Sequence, residues 1–217
     1  MNFMRNYWQY VTLTMLIGLG IYMLMSGNAD LTFLQAFMVY NFMALLAHQC
    51  EEYIFPGGAG VVINRGTYKE VDNFRRYPGN TQSSLIVNYS AYIAYILGIF
   101  NPNWIWLGIG LMFFNLMQFP GHVIANNKAL NSWYNAGMAT TLVLFTPMSL
   151  YYFYYIVNQE MVSGWDWLFG LLAFIAMVAL TVILPVQKLK NPESPYVWPE
   201  IQVQRFDRTM KWAGRKS

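Results

Sequence analysis

The chain has 217 residues, of which 56% are hydrophobic, 18% aromatic and 11% charged. Soluble domains carry about 25% charged residues, so this composition excludes a soluble globular protein and points to an integral membrane one. The length suits one compact domain with no separate soluble module, and a single cysteine, Cys50, excludes an intramolecular disulfide.

Six stretches come near the ~20 residues needed to cross a hydrocarbon core of about 30 Å. The first, 8–26, is followed by the turn Gly27-Asn28-Ala29-Asp30 and by no small-residue cleavage pattern, so it reads as a retained helix. The second, 31–52, ends in His48-Gln49-Cys50-Glu51-Glu52. The third, 84–100, is slightly short and stops at Asn101-Pro102-Asn103. In the fourth, 104–124, Pro120-Gly121 frees backbone groups and either kinks the helix or ends it. The fifth, 137–157, carries Pro147, which membrane helices tolerate. The sixth, 165–184, is expected to end at Pro185. The predicted fold is therefore all-α, a polytopic membrane bundle over residues 1–186 with a basic tail over 187–217.

Orientation follows from the basic residues, which stay on the cytoplasmic side. With six spans, Arg5, Arg65, Lys69, Arg75, Arg76 and Lys128 share one side with seven more Lys and Arg of the tail, Lys216 included. Those are all 13 Lys and Arg, and the other side holds Asp30, Glu160 and Asp166. Both termini are thus expected inside, with Trp104, Trp106, Trp165 and Trp167 in an outer aromatic belt. The topogenic placement of the basic residues gives no nucleic-acid surface. The tail is interrupted by Pro192, Pro195 and Pro199 and reads as solvated, either flexible or lying on an anionic leaflet.

Ionisable residues inside a span are costly and need a reason. At a rise of about 1.5 Å per residue, His48 and His122 fall at one level, roughly 26 and 27 Å from the outer ends of their spans. They are the two histidines of the chain, and Glu51 and Glu52 share that level. Asn115, Gln118 and His122 make one stripe, Asn41 lies seven residues before His48, and Asn88, Tyr134 and Asn135 fall close by. These side chains are expected to line one cytoplasm-facing pocket. Taken singly, an interfacial His or Glu is often a snorkelling anchor and an interspan amide a packing bond. The methionines read as packing, and Cys50 as a bystander.

Three kinds of function suit such a pocket. His48, His122 and Glu51 or Glu52 suit zinc or iron, with the remaining glutamate as general base, although this spacing is no established zinc motif. Without a metal, the same four residues could act as acid–base catalysts on a membrane lipid or another small apolar substrate, by hydrolysis or isomerisation. A proton-coupled transporter or binding protein also uses intramembrane Glu and His, but the outer half of the spans is featureless and shows no internal repeat. A structural His–Glu lock is the third class.

His48-Gln49-Cys50-Glu51-Glu52 and the following Tyr53-Ile54-Phe55-Pro56-Gly57-Gly58 resemble the HXXEE-domain family of small multi-pass membrane proteins. That family tends to carry a later Asn-x-x-x-His, matched by His122 with Gln118 in place of Asn. Its Tyr-x-Pro-Gly is matched by Tyr134 and Gly137 with Ala136 in place of Pro. The following Met138-Ala139-Thr140-Thr141 and Pro147 are similar too. The resemblance implies a multi-pass protein whose polar motifs suggest an enzymatic role. Compact loops suit a bacterial inner-membrane protein.

Overall fold

A computed structural model describes residues 2–215; Lys216, counted above with the basic tail, lies outside them. Five helices are long and apolar enough to cross a membrane: α1 (Phe3–Asp30), α4 (Thr81–Phe100), α5 (Ile105–Ala129), α6 (Met138–Asn158) and α7 (Gly164–Leu189). Between the first two lie α2 (Phe33–Tyr53) and the short α3 (Ala59–Val62). A last helix, α8 (Glu200–Ala213), follows the spans. The described residues form helices and turns, with one isolated bridge between Ser132 and Gly214.

Helix α2 is as long as a span, at 21 residues, yet Gln35, Asn41, His48, Gln49 and its two glutamates make it too polar to count as one by composition. Its position explains that polarity. Thirteen of its residues are buried, whereas α7 buries little beyond Gly170 and Pro185. The central helix faces neighbours that satisfy polar groups, and the peripheral one must be apolar all round.

Three local features shift the helix ends expected from the sequence. Asn80 caps α4 through a reciprocal box with Ser83, so the short apolar run starts earlier and becomes a 20-residue helix. Helix α5 continues through Pro120 in a widened π-type stretch, Pro120–Ala125. The end predicted at Pro185 is corrected in the same way, because α7 widens over Val178–Ile183 and runs on to Leu189. A wide turn gives the pyrrolidine ring room where a regular helix would clash.

The core joins α2, α4, α5 and α6 through Leu46, Tyr95, Ile109, Met112, Phe145 and Tyr152. Helices α5 and α7 approach at Gly110, where a Cβ would stand 3.1 Å from the Gly170 carbonyl oxygen; small residues permit this contact. Mid-bundle, the Asn115 amide donates to Asn41 Oδ1 at 2.8 Å and accepts from the Tyr95 hydroxyl.

Chain ends and loops sort into two layers. Trp8 near the start of α1 packs on Tyr53 at the end of α2, with ring centroids 4.9 Å apart. Phe33 at the start of α2 meets Tyr155 near the end of α6, at 4.3 Å. The segment after α7 belongs to the first layer. Here the structure departs from a solvated tail: Trp198 is 4% exposed, and Phe206 packs with Val61 and Val62. Gln202 Nε2 and an Arg205 guanidinium nitrogen donate to the Tyr53 carbonyl at 2.9 and 2.7 Å. The last carbonyls of a helix lack intrahelical partners, and α8 supplies donors for one of them.

Candidate functional site

Adjacent residues on a helix point about 100° apart, and Glu51 and Glu52 consequently serve different neighbours. Glu51 faces the start of α6. Gly137 begins that helix with a left-handed backbone and no side-chain cap. The Glu51 carboxylate takes its place, accepting from the backbone N–H of Ala139 at 2.9 Å and of Thr140 at 2.7 Å. The Tyr134 hydroxyl, at 2.6 Å, and the Thr140 hydroxyl also donate to it. Four converging donors at a helix N-terminus fit an ionised carboxylate. Burial and the bond to Glu51 hold the Tyr134 hydroxyl above the ordinary tyrosine range, so it stays a donor.

The hydrogen bonds then settle both histidine tautomers. Thr140 Oγ1 has one proton, which goes to Glu51, so its contact with His48 Nδ1 at 2.8 Å requires His48 to donate. Asn135 Nδ2 donates to the His122 carbonyl at 2.6 Å and to Asn127 Oδ1 at 2.7 Å. Its Oδ1 therefore accepts from His122 Nδ1, 2.9 Å away. Each imidazole has its Nδ1 proton committed, which leaves Nε2 to act on the other side of the ring.

Both Nε2 atoms turn toward Glu52. Its Oε1 lies 3.4 Å from His122 Nε2 and 3.7 Å from His48 Nε2. The two rings are perpendicular, with centroids 5.1 Å apart. Among the described residues these three side chains form the one group of metal-ligand type whose atoms all lie within 4.8 Å of one another. All three are buried. Donors 2.0–2.2 Å from a tetrahedral ion stand about 3.3–3.6 Å apart; the His122–Glu52 distance falls in that range and the His48–Glu52 distance just outside it.

A cavity of about 240 Å³ opens beside this cluster. His48, Gln49, Glu52, Asn88 and His122 make its polar end, and Leu45, Phe114, Met117 and Val182 its apolar wall. Tyr53, Ile63, Tyr68, Val87 and Val182 also border a smaller, mainly apolar cavity of about 110 Å³ that reaches Val186 and Trp198.

The structure brings His48, Glu52 and His122 together and turns Glu51 to the adjacent face of α2, where it meets Tyr134 and Thr140. Gln118 stays on the cavity wall, where its amide replaces that of Asn. Asn88 bonds Ser84 in its own helix, and its carbonyl accepts from Gln49. Asn41 and Asn115 belong to the mid-bundle network, away from the cluster. Sequence reasoning placed Asn135 beside Tyr134 near the pocket and met Thr140 within the resemblance, but gave neither the task of orienting a ring. Their signal lay in isolated polar residues, Asn135, Thr140 and Thr141, just before the apolar run that starts at Leu142.

Residues 39–152, more than half the chain, match a family described as a protein of unknown function with HXXEE motif. The chain belongs to the HXXEE family. No curated protein and no solved structure is similar to it. The HXXEE match takes in the whole cluster together with Asn135, Gly137 and Thr140, and leaves out α1, α7 and α8. In this HXXEE protein the first histidine and second glutamate of the motif meet at the cavity, while the first glutamate caps a neighbouring helix. Ala136, at the position of the family's proline, is buried with Trp8, Tyr53 and Trp198.

Proposed function

We propose that the protein is a membrane-embedded enzyme that holds zinc or iron on His48, Glu52 and His122 and acts on a lipid or another apolar substrate in the adjoining cavity. The observation that supports this reading is the pair of committed Nδ1 protons. In the neutral imidazoles they leave two Nε2 lone pairs and a carboxylate oxygen facing one another, and three acceptors in one buried place call for a cation, a metal ion or a proton shared with Glu52. A metal there would act as a Lewis acid or activate water. The chain's own residues orient the ligands through Thr140 and Asn135, and the apolar wall beside Val182 gives a hydrocarbon chain somewhere to lie. Hydrolysis and isomerisation both fit. Elemental analysis of detergent-purified protein should find near-stoichiometric zinc or iron, lost in both His48→Ala and His122→Ala. Metal-free wild-type protein after gentle purification and repletion would overturn the metal and leave acid–base chemistry by the same residues.

We further infer that α2 is a sixth crossing, with both termini on the cytoplasmic side of a bacterial inner membrane. Supporting this, Arg5 stacks on Tyr196 at 4.1 Å and the Trp198 N–H donates to the Arg75 carbonyl, so the basic loops and the last segment share one layer. In a Cys50→Ala background, an impermeant maleimide applied to intact cells should label a cysteine introduced at Asn103 and spare one at Asn191. The reverse pattern would sink the orientation.

A further inference from the structure

On the opposite side of α2 from the His/Glu cavity, two open hollows of about 480 and 520 Å³ share Ile54, Phe55, Pro56 and Tyr134 and form one groove. Its deeper stretch runs between α1 and α2 along Leu13, Leu16, Ala47 and Cys50. Its outer stretch is bordered by α8, which contributes Ile201, Arg205, Arg208 and Trp212. Those four are spaced four, three and four apart, so they make one stripe of the helix. The neighbouring stripe, Gln202, Phe206, Thr209 and Ala213, is buried against the bundle.

The exposed stripe is unusual for a water-facing surface. Ile201 and Trp212 are about half exposed, and Phe55 is 81% exposed. Between these apolar side chains stand two guanidiniums. One nitrogen of Arg205 is used on the Tyr53 carbonyl, which leaves the rest of its five-donor fork available. Arg208 is exposed and projects over the same outer stretch. Among the described residues lining the groove the acid is Glu51, and four donors already occupy its carboxylate. The surface thus offers cations at one end of an apolar channel that leads toward the middle of the bundle.

The geometry points to a binding site for one anionic phospholipid, its phosphate between Arg205 and Arg208 and an acyl chain laid along Leu13, Leu16 and Ala47. Charge complementarity selects this occupant. A guanidinium pair matches phosphate oxygens bidentately, aromatic side chains such as Trp212 settle at headgroup level, and the channel supplies the hydrocarbon contact. The groove borders the Glu51–Thr140 contacts that hold His48, but its occupancy is read by lipid retention alone and does not depend on any reaction at the His/Glu cluster.

The test uses the full chain in nanodiscs of phosphatidylglycerol and phosphatidylcholine in equal parts, released gently and weighed intact to count retained lipid. Wild-type protein should keep phosphatidylglycerol in preference. Arg208→Gln should lower that preference about fivefold, equivalent to about 1 kcal/mol, because the charged partner of the phosphate is lost. Arg208→Lys should keep part of it. Lys211→Gln removes the same charge from α8 outside the groove and should leave the preference unchanged. No preference in the wild type, no effect of Arg208→Gln, or an equal loss in Lys211→Gln would each overturn the site.

Discussion

Compared as metal-free proteins, so that lost metal does not enter the stability, Glu51→Ala should destabilise by about 3–5 kcal/mol and Glu52→Ala by roughly 1 kcal/mol or less, although the two residues are neighbours of equal burial. Removing the Glu51 carboxylate strands the Tyr134 and Thr140 hydroxyls and the first free N–H groups of α6. The same change releases His48, whose ring is held through Thr140. Removing Glu52 strands no backbone donor and leaves two imidazoles facing a cavity that water can fill. Its expected effect is chemical: loss of bound metal from a protein that still melts cooperatively. Thermal unfolding followed in detergent, beside metal content for each variant, separates the two. Equal melting temperatures, or full metal retention in Glu52→Ala, would refute the division of labour between the glutamates.

Gly137→Ala should cost about 2–4 kcal/mol and remove the metal as well. The residue sits at φ +101°, where a side chain costs about 1–2 kcal/mol. An added Cβ would also overlap the His122 imidazole, which rests directly on the glycine. The ring would have to leave Asn135, and its Nε2 would leave Glu52. Gly121→Ala is the control, since a Cβ there meets nothing within 4 Å and alanine favours helix. A destabilised Gly137→Ala that keeps its metal would mean that His122 tolerates displacement and that Gly137 is needed for its backbone alone.

The sequence carried the helical bundle and the shared level of His48 and His122, because depth follows from counting residues along a straight helix. Direction around the helix axis is different. It depends on which neighbour lies where, and no count of residues could tell that Glu51 would cap α6 while Glu52 met the histidines. Asn135 and Thr140 were visible as polar residues ahead of an apolar run, but their partners lie 13 and 92 positions away. Pro185 was misread because a proline usually ends a helix, and only the widened turn before it lets α7 continue. The segment after α7 looked solvated because its apolar residues are sparse and flanked by charges. Docking depends on the Tyr53 carbonyl and on Gly58, whose N–H donates to Gln202 at 2.9 Å, and neither is detectable in the tail itself.

The tie between α8 and Tyr53 spans 149 residues, and this separation has a consequence for biosynthesis. Helix α2 leaves the ribosome early, with His48 and two glutamates near an end that nothing yet holds. Helices α5 and α6 arrive later with His122 and Thr140, and the donors of Gln202 and Arg205 come last of all. Through most of translation the most polar helix of the bundle must therefore wait half-anchored in its surroundings. The final segment acts as a latch that fixes the polar end of α2 once every other part is in place. Nascent chains arrested before residue 200 should accordingly hold α2 loosely, whatever the stability of the finished protein.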